Sequence, residues 1–160
     1  MKISICSRKA IEELIARGGL PNTAVISFYD PPQPGRPHRP PAELGASFER
    51  SIQIALHDLD PSALERAGLS VETFFPEADA LASFILRAKQ DGLDVICQCE
   101  YGQSRSAACA AAILQHFCRR GIDVFADYRY YPNQLVYHKV LDALVKKAAN
   151  SRADIRVAKK

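Results

Sequence analysis

The stretch from Asp94 to Gly121 constrains the fold most. A short apolar run, Val95-Ile96-Cys97, leads to Cys99, then to Gly102, and then to an Ala-rich segment through Ala107, Ala108, Ala111, Ile113, Leu114 and Phe117. The first part has the length and β-branching of a buried strand. The second carries apolar residues at spacings of three and four, which predicts a helix that starts near Ser104 and stops at Gly121. A strand that turns into a helix within about five residues implies a tight connection, and Gly102 supplies the backbone freedom such a turn requires.

The remaining elements follow the same alternation. Residues 3–6 read as a strand, and Ser7 caps a helix through Ala10, Ile11, Leu14 and Ile15 that ends at Gly18-Gly19. Residues 23–28 and 51–56 are strand-like, residues 73–89 and 133–149 helical. Between the second and third strands, positions 31–41 contain six prolines, so that stretch is an exposed loop. Strands alternating with helices predict an α/β fold, with a mainly parallel central sheet of about four to five strands flanked by helices. With 160 residues and no internal repeat, the expectation is a single domain spanning 1–160.

Composition excludes several classes. A formal net charge of +3, without a basic run or an aromatic-basic stripe, argues against nucleic-acid binding. No apolar run reaches the roughly 18 residues of a membrane span. The N-terminus meets Arg8 and Lys9 before any apolar stretch, so no signal peptide is expected. Five cysteines, an odd number without paired CxxC spacing, fit a reduced, cytoplasmic setting. His57, His116 and His138 form no ligand cluster with each other or with the cysteines, so no metal is expected.

The chemistry lies in residues 99–106, Cys99-Glu100-Tyr101-Gly102-Gln103-Ser104-Arg105-Ser106. A tight loop between a strand end and a helix start aims backbone N–H groups into one concavity, and the helix dipole adds positive potential there. A thiol at a helix N-terminus beside a guanidinium favours its thiolate form, the nucleophile. Arg105 can hold two phosphate oxygens with its planar fork. Ser106 can donate a hydrogen bond to the sulfur as it leaves a phosphocysteine. The bland alternative is a structural strand-turn-helix with a buried Cys and a capping Ser.

These residues resemble the Cys-x5-Arg-Ser/Thr signature of the protein tyrosine and dual-specificity phosphatases. The resemblance covers roughly residues 51–145 and is nearest to the compact dual-specificity type. It implies a phosphotyrosine-phosphatase-like fold and hydrolysis of a phosphorylated protein or a small phosphoester without a cofactor. It also implies Cys99 as nucleophile, Arg105 as phosphate clamp, Ser106 as the aid to intermediate breakdown, and backbone N–H groups of Glu100, Tyr101, Gly102, Gln103, Ser104 and Arg105 as the phosphate cradle. Asn133 resembles an Asn that braces the signature loop; it is also placed to cap the last helix.

The family's acid is an Asp after an upstream strand. Asp58 occupies that place, Asp60 is the alternative, and both lie farther from Cys99 than is usual in the family. Gln98 stands where family members carry His, and the signature loop holds no Lys, which favours phosphoproteins or simple phosphoesters over inositol polyphosphates. Cys97 reads either as a core residue or as a partner that protects oxidised Cys99. Arg36, His38 and Arg39 read as a solvated loop or as a basic rim. The rival functions are a phosphate-recognising module with little or no activity, and the sulfur or arsenate chemistry of other Cys-x5-Arg loops.

Overall fold

The computed structural model describes residues 1–157 apart from 34, 36 and 38, and for 151–157 it describes the backbone alone. Four strands, β1 (Ile3–Ser7), β2 (Leu20–Tyr29), β3 (Phe48–Ala55) and β4 (Asp94–Cys99), form one sheet in the order β1-β4-β2-β3. Every pairing is parallel, as an alternation of strands and helices requires. The helices are α1 (Arg8–Ala16), α2 (Ala78–Gln90), α3 (Arg105–Cys118), the short α4 (Ile122–Phe125) and α5 (Gln134–Val157).

The period-two alternation of the central strands divides the core between the two faces of the sheet. Ala24, Ile26 and Phe28 of β2, with Val95, Cys97 and Cys99 of β4, pack against α2, α3 and α5. Val25 and Ile96 point the other way, against Ile11 of α1 and against Ala42, Leu44 and Phe48, which border the proline-rich connection. Ile11, Val25, Ile26 and Leu81 are fully buried, each contributing about 1.5–3 kcal/mol relative to exposure. Helix α3 is buried along its first nine residues. Its alanines explain this, because a methyl side chain lets the helix lie close to both the sheet and α5.

Strands β2 and β3 begin three residues earlier than expected, α4 was not foreseen, and three of the expected helices have other bounds. The helix expected over 73–89 begins at Ala78, because Ser70 and Thr73 satisfy each other's polar groups in a turn and Pro76 disfavours helical backbone at the preceding Phe75. Helix α3 ends at Cys118, with Arg119 in the left-handed conformation at φ 60°, so that Gly121 leads into α4 and does not end α3. The last helix continues past residue 149 to Val157. Among the described residues, no helix is long and apolar enough to cross a membrane.

Candidate active site

The carboxyl ends of β2, β3 and β4 lie side by side, the edge where parallel α/β sheets place their ligands. Strand β4 delivers Cys99 there, and α3 begins six residues later with Arg105. Three carbonyls of this segment are already engaged. Glu100 accepts a hydrogen bond from the amide of Arg8 (3.1 Å), Gln103 from that of Tyr131 (2.9 Å), and Ser104 from that of Ala108 (2.8 Å). Among the described residues no acceptor takes the amides of residues 101–104, which leaves them as donors for an anion. Gly102 makes this path possible. Its φ is +70°, and a Cβ there would lie 2.7 Å from the backbone of Cys6 and Ser7, so the loop can rest on the end of β1 only with glycine at this position.

Cys99 is buried, and its Sγ lies 3.0 Å from Ser106 Oγ, so the hydroxyl can donate to the sulfur. Arg105 is 3 % exposed. Its Nη1 donates to Asp30 Oδ1 (2.8 Å) and to the carbonyl of Leu56 (2.5 Å), and its Nε lies 3.7 Å from Asp58 Oδ2. Nε is a buried donor without an acceptor among the described residues. An unfilled buried donor costs about 1–3 kcal/mol, so this atom favours an incoming anionic oxygen.

Asp58 stands three residues beyond β3, at this same edge. Its Oδ1 accepts from Ser104 Oγ (2.7 Å) and from Asn133 Nδ2 (2.9 Å). Asn133 also donates to the carbonyl of Leu59 (2.8 Å), while its Oδ1 accepts from the amide of Val136 (3.0 Å). One side chain thus caps α5, as expected, and ties it to the Asp58 loop; it does not brace the signature loop directly, which it meets only through Asp58 and the Ser104 hydroxyl that Asp58 accepts. Asp60 is turned elsewhere. Its Oδ1 accepts from the amide (2.9 Å) and hydroxyl (2.5 Å) of Ser62 and caps a short 3-10 turn at Pro61–Ala63. The Ser62 hydroxyl, with the amide beside it, holds the Asp60 carboxyl below its usual value.

The other cysteines divide by environment. Cys97 is fully buried on the α3 side of the sheet, and a hydrogen bond with Cys109, reinforced by burial, pushes its thiol well above the ordinary value. Burial, with the neighbouring charge of Cys99 as a second cause, pushes Cys6 up to about 12. Gln98 is also buried, its Oε1 accepting from Ser27 Oγ at 2.6 Å; it supports the strand pairing and brings no charge.

Of the basic residues in the proline-rich connection, Arg36 and His38 lie outside the described residues. Arg39 reaches the signature loop and pairs with Glu100, while Arg8 of α1 holds the same connection through the carbonyl of Pro40 (2.5 Å). The connection therefore forms one wall of a cleft of about 380 Å³ that Asp30, Arg39, His57 and Asp58 line. Tyr101 is strongly exposed at the outer side of the loop. Asp30 had no distinguishing signal in the sequence. It is an acid following a buried strand, and only the order of strands, with β2 next to β4, places it beside Arg105. Among the described residues, no group of three or more His, Cys, Asp or Glu is placed to hold a metal ion.

No protein-family model matches the sequence, and no curated protein does. Solved structures do. The crystal structure of human DUSP28 matches with a TM-score of 0.52 at 17% identity, over 92% of this chain and 94% of that one. A mouse putative dual specificity phosphatase complexed with zinc tungstate gives a TM-score of 0.48 at 18% identity, over 93% and 86%. PTPMT1 in complex with PI(5)P gives 0.49 at 13% identity, over 94% of each chain. The all-parallel sheet, its flanking helices and the match to DUSP28 along nearly the whole chain lead to one conclusion: this chain has the fold of the dual-specificity phosphatases.

Proposed function

We propose that this protein hydrolyses phosphomonoesters through a phosphocysteine intermediate, as a compact dual-specificity or tyrosine protein phosphatase. The observation that carries this reading is the buried Arg105 with its unfilled Nε donor, at the head of the helix that follows the Cys99 loop. Cys99 Sγ, as thiolate, attacks phosphorus, and the bond from phosphorus to the leaving oxygen breaks. Asp58 protonates that oxygen. The amides of residues 101–104 and the Arg105 guanidinium hold the three remaining oxygens, where charge must be stabilised. A water molecule then attacks the phosphocysteine and gives its proton to Asp58. The sulfur–phosphorus bond breaks, and the Ser106 hydroxyl donates to the departing thiolate.

Asp58 suits the acid role by position: Asn133 and Ser104 hold its Oδ1, and its Oδ2 lies 3.7 Å from Arg105 Nε, at the edge that would meet the phosphate. Asp58→Ala is expected to lower kcat by about a hundredfold on an alkyl phosphate, the ordinary scale of general acid help. The loss should be much smaller on an activated aryl phosphate, whose leaving group needs no proton. Steady-state kinetics on both substrates test this, and equal losses on the two would move the acid elsewhere.

A second reading, a phosphate-recognising module without turnover, is favoured by Gln98, a buried uncharged side chain bonded to Ser27 where the resemblance leads one to expect His. Wild-type protein that binds inorganic phosphate but hydrolyses neither ester would support the module over the enzyme.

A further inference from the structure

We infer that Asp30 is a positioning residue for Arg105, fixing the guanidinium so that the edge carrying Nε is presented to the phosphate. This inference rests on the phosphate-site reading of residues 99–106 and names a residue that the signature does not contain. A guanidinium has five N–H donors in a rigid plane, and anchoring one nitrogen sets the direction of the others. Here the anchored nitrogen is Nη1, held by Asp30 Oδ1 at 2.8 Å and by the Leu56 carbonyl at 2.5 Å. Both acceptors come from the carboxyl end of the sheet, Asp30 directly after β2 and Leu56 directly after β3. Nε is left buried, without a hydrogen-bond acceptor among the described residues, the Asp58 Oδ2 lying 3.7 Å away.

The two ends of the ion pair sit in different surroundings. The Arg105 side chain is 4% exposed, whereas that of Asp30 is 57% exposed and lines the cleft beside Asp58. A pair so open to water on the acid side adds little to folding stability. Its consequence falls on the orientation of the buried partner. A flexible arginine without this anchor would have to be ordered by the substrate itself, at a cost in binding and in rate.

The test compares wild type, Asp30→Ala and Asp30→Asn in three measurements: inorganic phosphate binding by calorimetry, aryl phosphate kinetics, and thermal unfolding. Asp30→Ala is expected to weaken phosphate binding and to lower kcat/KM by about tenfold each, the scale of one charge-assisted hydrogen bond. Its melting temperature should stay near that of wild type. Asp30→Asn keeps an acceptor oxygen and should recover most of both losses. Binding and kcat/KM of Asp30→Ala within about twofold of wild type would overturn the inference. So would tighter phosphate binding, which would make Asp30 a competitor of the ligand, or losses that follow the melting temperature without recovery by Asn. Wild-type protein that binds no phosphate would instead overturn the parent reading, and the inference with it.

Discussion

Cys99→Ser is expected to abolish hydrolysis of an aryl phosphate, a fall of about 10⁴-fold or more in kcat, while inorganic phosphate still binds. The substitution exchanges one sulfur for one oxygen at a buried position, so it barely disturbs packing. The amides of residues 101–104 and the Arg105 guanidinium remain in place. What disappears is the nucleophile, because among the described residues the only side-chain hydrogen-bond partner at this position is the Ser106 hydroxyl, which is no base for a serine proton. The neighbouring thiols do not replace it. Cys97 and Cys109 are buried in the core, and Cys6 is held protonated, pushed up to about 12 by burial. Turnover on an aryl phosphate and calorimetry with phosphate together check this prediction. Retained turnover would remove Cys99 from the chemistry.

Arg105→Lys should lower kcat/KM by about a thousandfold, although the charge is kept. Lysine offers a compact ammonium where the site has been shaped for a plane. In wild type, Nη1 spans Asp30 and the Leu56 carbonyl while Nε is directed elsewhere. An ammonium that satisfies Asp30 and Leu56 has no second edge for the phosphate. One that turns to the phosphate leaves the Leu56 carbonyl without its donor. Steady-state kinetics and phosphate calorimetry on Arg105→Lys check this, with weakened binding expected beside the lower rate. Kinetics within about tenfold of wild type would show that charge alone suffices and that the bidentate geometry is unnecessary.

How far the sequence could be read depended on whether a feature was local. The strand-turn-helix at residues 94–121 was legible because its signals lie within a few residues of one another: Val95 and Ile96, then Gly102, then the alanines. The carboxyl end of β4 was less so, since Gln98 and Cys99 continue a strand whose apolar run ends at Cys97, and their burial depends on β2 and α3. The start of α2 was misjudged because an apolar face at helical spacing does not reveal that Ser70 and Thr73 bond each other first. The site behaves in the same way. Cys99, Arg105 and Ser106 belong to one segment, whereas Asp30 and the Leu56 carbonyl meet Arg105 only after two strands from elsewhere in the chain are set beside β4. Asn133 as a helix cap was legible from its place before the last helix, whereas its side-chain nitrogen bonds Asp58, on a loop that only the fold brings near, and not the signature loop itself.

The central claim is that a covalent bond forms between Cys99 and phosphorus. Ser106→Ala removes the hydroxyl 3.0 Å from the sulfur and should slow the breakdown of the intermediate more than its formation. The direct measurement is mass spectrometry of acid-quenched Ser106→Ala protein during turnover of an activated aryl phosphate. A phosphoryl adduct is expected on the peptide containing Cys99, absent when Cys99→Ser is added. Steady turnover with that peptide unmodified throughout, or an adduct on another residue, would contradict it.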